Sequence, residues 1–137
     1  MNEDTNSIIR EYLVNQATLT AVVGQRIFVP RLPENTTLPA IGLFTRGGVS
    51  TPYIPGIVTP SVQFDCWDDN AIGARDAYNK LYDVLQGIQM QTVTIGVIDY
   101  TILSAIEEMQ GQDIVDTEIP NYFRVLSFFS IMITATT

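Results

Sequence analysis

Between Ser61 and Ile88 the spacing of apolar residues changes from every second position to every third or fourth. Val62, Phe64 and Cys66 alternate with Gln63, Asp65 and Trp67, the period of a β-strand. Ala74, Tyr78, Leu81, Leu85 and Ile88 then recur at helical spacing, and Gly87 is placed to end the helix. Asp68, Asp69 and Asn70 lie at the junction, where their short polar side chains suit a helix cap. Upstream, Ile8, Ile9, Tyr12 and Leu13 form an apolar stripe opposite Arg10, Glu11 and Asn15, which predicts a helix over Thr5–Gln16. A second helical stretch, Ala17–Val23, stops at Gly24. Short strands are expected over Arg26–Val29 and Pro39–Arg46, separated by a loop from Pro30 to Leu38.

The second half reads mainly as strand. Val93–Ile95 is a short one, and Asp99–Met109 alternates as a strand would. Its last residues also suit a helix, but the β-branched and aromatic content of its first half favours strand. Tyr122–Thr134 is apolar on both faces, the mark of a central strand, and Gly111–Pro120 reads as an acidic turn. The segment 47–60, GGVSTPYIPGIVTP, is too rich in proline and glycine for a helix or a central strand. It is either a long hairpin loop or an extended arm, and Tyr53, Ile54, Ile57 and Val58 give it apolar residues to set against a partner. No repeat divides the 137 residues, so residues 1–137 are expected to form a single domain.

Composition narrows the chemistry. The chain carries 15 acidic and 7 basic residues, a net charge of −8, so it lacks the basic surface that tight nucleic-acid binding requires. Only 16% of residues are charged while 46% are hydrophobic, a balance that fits a folded subunit with extensive contacts to other subunits. Without histidine, Ser-His-Asp and Cys-His catalysis are excluded within one chain. The single cysteine, Cys66, allows no internal disulfide and reads as a buried strand residue. MNEDTNS has neither the basic nor the apolar region of a signal peptide, and Val125–Ile133 is too short to span a bilayer. A soluble protein made inside the cell, with no membrane partner, is the expectation.

Candidate sites are few. Asp65, Asp68, Asp69 and Asn70 offer oxygen ligands, but without the glycine and terminal glutamate of a calcium loop, and helix capping is the simpler role. Glu107 and Glu108 are adjacent on a strand, so they point to opposite faces and do not form an acid/base pair. Gly47-Gly48 lacks the pattern of a phosphate loop. Trp67 and Tyr82 are either core or an aromatic contact surface. Arg26, Arg31, Arg46 and Arg75 suit ion pairs between subunits. No catalytic residue, metal site or cofactor is expected.

The order of segments resembles one known family. Gly24-Gln25-Arg26-Ile27-Phe28, Pro33, Leu38-Pro39-Ala40 and Val62-Gln63-Phe64-Asp65-Cys66-Trp67, continued by Ala71, Ala74, Ala77, Leu81 and Leu85, are similar to the tail-completion or tail-terminator proteins of long-tailed bacteriophages. The likeness covers most of the chain, although the 47–60 segment is longer and richer in proline than the family's usual hairpin. It implies an α+β fold, with helices packed on one face of an antiparallel (mixed) β-sheet. It also implies a homo-oligomer, a hexameric ring at the head-proximal end of the tail tube. The ring would end tube polymerisation and join the tail tube protein to the head-completion or stopper connector protein. DNA would pass through its lumen as a cargo contacted without specificity, and the protein would reside in the virion after assembly in the host cytoplasm. Candidate interface residues are then Tyr53, Ile54, Ile57, Val58, Arg46 and Arg75, and candidate lumen or acidic-face residues are Glu107, Glu108, Asp113 and Asp116. Another tube or neck component is the nearest alternative, and a small carboxylate- and metal-dependent enzyme a more distant one.

Overall fold

The structure is a computed structural model that describes residues 4–29, 37–50, 57–115 and 123–136. The described residues form helices α1 (Thr5–Val14), α2 (Ala17–Val23) and α3 (Ala71–Leu85) and strands β1 (Ile27–Phe28), β2 (Ala40–Ser50), β3 (Ile57–Asp68), β4 (Gln89–Ile95), β5 (Ile98–Val115) and β6 (Phe123–Thr136). The strands make one sheet in the order β1-β2-β3-β6-β5-β4. The β1–β2 pair is parallel and all others are antiparallel, so the fold is α+β with a mixed sheet. β6 is central, as its two apolar faces require.

The helices cover one face. Val62, Phe64 and Cys66 of β3 point to it and are fully buried, level with Phe129 and Val125 of β6 and with Ile41 and Leu43 of β2. Phe64 meets Phe129 edge to face, with ring centroids 5.5 Å apart. From above, α3 contributes Ala74, Ala77, Tyr78, Leu81, Val84 and Leu85, the stripe expected of its sequence. α1 lays Ile8, Ile9 and Leu13 into the same core, and its Tyr12 hydroxyl donates to the Val84 carbonyl of α3 at 2.7 Å. α1 touches β1 and β2 at one edge of the sheet and β4 at the other. The sheet therefore curls around its helices.

Bulges produce much of that curl. Along β5 the register against β6 slips at Leu103, at Glu108 and across Gln110–Gly111, each time by one residue. An extra residue bends the strand and reverses which face the following side chains meet. Tyr100 and Ile102 face the helices, but beyond Leu103 it is Ala105 and Glu107 that do so. Ile106, in phase with Ile102 by sequence, is 58% exposed on the opposite face.

Three expectations need correction. The segment 47–60 is not loop throughout: Gly48–Ser50 pair with Val58–Pro60, so β2 and β3 extend into it from both sides. Pro60 is tolerated in an inner strand because Arg46 and Gly47 bulge opposite Ser61, and Gly48 has φ +142°, a value that favours glycine. The acidic stretch after Gly111 is strand as far as Val115. The cap of α3 is Asn70, whose Oδ1 accepts from the Gly73 N–H at 2.6 Å, whereas Asp68 turns back to accept from the Asp69 N–H at 2.7 Å.

Candidate functional site

No three metal-binding side chains converge among the described residues. Two other arrangements stand out, one on each face of the sheet.

On the helix side, α3 is tied to the bulged part of β5 by a polar lock. The Tyr78 hydroxyl donates to the Glu107 carboxylate and accepts from the Gly111 N–H at 3.0 Å. Arg75, one turn earlier, pairs with Asp113 at 2.9 Å and donates to the Gly111 carbonyl at 3.3 Å. Its guanidinium lies 5.3 Å from the centre of the Tyr78 ring. Gln86 completes the lock by accepting from the Glu107 N–H at 2.7 Å. Gly111 is required by space here, since a Cβ would come within 2.7 Å of the Tyr78 ring and 2.8 Å of Val125. Burial, and then the neighbouring Glu107 carboxylate, push the Tyr78 phenol up to about 12. The lock sets the path of β5. Its groups are engaged with one another, which gives them a structural use.

No helix among the described residues lies on the other face of the sheet. Phe44, Gln63, Asp65, Trp67, Leu126 and Phe128 lie on it by register, together with the exposed Ile106 and Met109. Two arginines lie over its aromatic rings. Arg46 stands 3.8 Å above the centre of Phe128, with its Nε 3.4 Å from the Ser61 hydroxyl. Arg124 is 5.1 Å from the centre of Trp67 and 3.7 Å from Asp65. Burial raises the Asp65 carboxyl above the ordinary carboxylate range, while Arg124 and Gln63 oppose the shift. Cys66, the next residue, is fully buried on the helix side, and burial drives its thiol strongly upward, away from the reactive thiolate.

With that geometry in view, comparison with known proteins is informative in one direction only. No family model and no curated protein matches the chain. A chain from the virion of a native gene transfer agent particle superposes on it with a TM-score of 0.59, over 95% of this chain and 94% of that one. The two share a fold. At 15% sequence identity the likeness is one of architecture, and it takes in nearly the whole length of both chains.

Within this fold the residues singled out from sequence are dispersed. Arg46 is on the helix-free face, while Arg75 is in the lock on the other side. Ile57 and Val58 are half-buried at the start of β3, with Val58 packed against the core. Among the acidic residues, Glu107 and Asp113 face α3, whereas Glu108 accepts from the Ser61 hydroxyl at 2.7 Å. Tyr53, Ile54 and Asp116 lie outside the described residues. Sequence reading missed both the lock and the pairing of Arg124 with Trp67. The lock offered no signal, because Tyr78 fits the core stripe equally well. A signal for the helix-free face was present in the apolar Leu126, Phe128 and Met132, which alternate with the core residues of β6.

A hollow of about 240 Å³ between α3 and the ends of β5 and β6 is lined chiefly by Ala71, Ala74, Ile114, Phe123 and Val125. It has an apolar wall, with the lock residue Asp113 and Arg124 at its margin.

Proposed function

We propose that this chain is a structural protein of a phage-like virion, and specifically the subunit of a ring at the head-proximal end of the tail tube. The observation that carries the proposal is the end-to-end match in fold to a chain of a gene transfer agent virion. The likeness of the strand–helix block to tail-terminator proteins supplies the finer assignment. In this reading the ring ends tube polymerisation, joins the tail tube protein to the head-completion connector, and lets DNA through its lumen. Arg46, Ile57 and Val58 belong to subunit interfaces together with Arg75, Tyr53 and Ile54. Glu108 and Asp116 are the acidic residues assigned to the lumen, where negative charge lets DNA slide rather than bind, while Glu107 and Asp113 are held in the lock.

The physical fit is that of an assembly protein. The sheet is apolar on both sides but has helices on one, and the polar groups of the lock are spent on holding β5. Negative-stain imaging of the purified protein, alone and mixed with tail tubes, tests the role. Rings that cap tube ends are the expected result. Long tubes built from this chain alone would assign it to the tube instead. A dispersed monomer that ignores tubes and connectors would overturn the proposal.

A further inference from the structure

A strand that is apolar on both faces belongs in a sheet covered on both faces. β6 is such a strand, with Val125, Phe129, Ile131 and Ile133 under the helices and Leu126, Phe128 and Met132 on the side that no described helix covers. The uncovered side is also less acidic than the rest of the molecule. Its Arg124 is matched by Asp65, and the exposed Arg46, stacked over the buried Phe128, shares the Ser61 hydroxyl with Glu108, so two arginines stand against two carboxylates there.

The opposite surface of the subunit has the reverse character. Ile72, Asp76, Asn79 and Asp83 are spaced by four, three and four residues, so they form one ridge along the outer side of α3, and all are exposed. Ile72 is 83% exposed at the first turn of the helix, an unusual place for a large apolar side chain to stand uncovered. The acidic charge and apolar knob of the ridge thus find, on the other side, the exposed Arg46 and the exposed apolar Ile106 and Met109.

We infer that the helix-free face around Arg46, Ile106 and Met109 receives the α3 ridge of a second copy of this chain. The ridge and its receiving face lie on opposite sides of one subunit, so the contact is head-to-tail. Repeated contacts of that kind close a ring or extend a filament, whereas a self-complementary patch gives only a dimer. The inference rests on the ring reading for its biological setting, and its own content is which two surfaces meet.

Charge reversal tests it in solution. Arg46→Glu sets like charges across the contact and weakens self-association about tenfold or more, read as a fall in sedimentation mass at a fixed protein concentration. The double variant Asp76→Arg, Asp83→Arg has the same effect from the other side. Combining all three substitutions recovers assembly. Circular dichroism and a thermal melt confirm that each variant is folded, which the exposure of these side chains favours. An oligomer mass unchanged by either reversal overturns the inference, as does a combination that recovers nothing. Unchanged oligomer mass with loss of tube-end capping in Arg46→Glu would give this face to the tube protein, again overturning it. A wild-type chain that stays monomeric alone also overturns it, whereas the virion reading falls only if that monomer ignores tubes and connectors.

Discussion

Replacing Tyr78 by Phe removes one oxygen from the centre of the lock between α3 and β5. That oxygen donates to the Glu107 carboxylate and accepts from the Gly111 N–H, and the side chain is only 6% exposed. A hydrogen bond to a charged group contributes about 1.5–3 kcal/mol, and a buried N–H left without a partner costs about 1–3 kcal/mol. Water can reach the freed Glu107, so the two do not add in full, and the loss is set at about 2–4 kcal/mol. For a chain of this size that lowers Tm by roughly 6–12 °C. The pH dependence is a second, independent readout. The folded phenol is raised to about 12 from an ordinary 10.0, so the stability it confers is fully present below pH 10 and lost as pH rises through 12. By pH 11 the wild type has lost about 1.4 kcal/mol that the Phe variant cannot lose. Urea unfolding of both proteins at pH 8 and pH 11 measures both quantities. A gap below about 0.5 kcal/mol at pH 8 would refute the lock. A gap that stays constant to pH 11 would refute the assigned ionisation.

Other substitutions probe the same framework. Gly111→Ala forces a methyl group against the Tyr78 ring and Val125, and is expected to cost about 1–3 kcal/mol by denaturant unfolding. The Tyr78→Phe background should leave most of that cost in place, because the clash is with the ring. Gly48→Ala combines a φ of +142° with a Cβ 2.7 Å from the Pro60 Cα, so a loss of about 2–4 kcal/mol is expected, together with faster amide exchange around the bulge. Asn70→Ala removes the cap of α3 and lowers stability by about 1 kcal/mol, while Asn70→Asp leaves it within a few tenths. Cys66 should resist a thiol reagent in the native protein at pH 8 and react in full once unfolded, since burial raises its thiol. Rapid modification without unfolding would show that β3 is less well covered than its packing implies.

What could be read from sequence was whatever depends on local period. The unit from β3 into α3 was legible because Val62, Phe64 and Cys66 alternate and Ala74, Tyr78, Leu81 and Leu85 recur at helical spacing. The central place of β6 followed from its two apolar faces. Features that depend on a distant residue were hidden. Pro60 argued against an inner strand until the bulge at Arg46–Gly47 supplied the reason for its tolerance. Leu103 is an ordinary strand residue, so nothing announced that it would shift Ile106 to the other face. Asp113 looked like part of an acidic turn because its partner, Arg75, is on α3 and far away in sequence. For the interface candidates the residue type was informative but the surface was not. Arg46 and Arg75 looked equivalent, and the fold separates them to opposite sides of the sheet.

The contact of α1 with both edges of the curled sheet bears on how the chain folds. Thr5–Val14 has a neighbour as distant in sequence as β4, Gln89–Ile95, and β3 has its inner partner in Phe123–Thr136. Each of these closures carries a large loop-entropy cost before it is rewarded. Until β4 is in place, the apolar stripe of α1 has only part of the surface it packs on. Folding of this subunit therefore depends on contacts between residues far apart in the sequence, and α1 is fully housed only once β4 has joined the sheet.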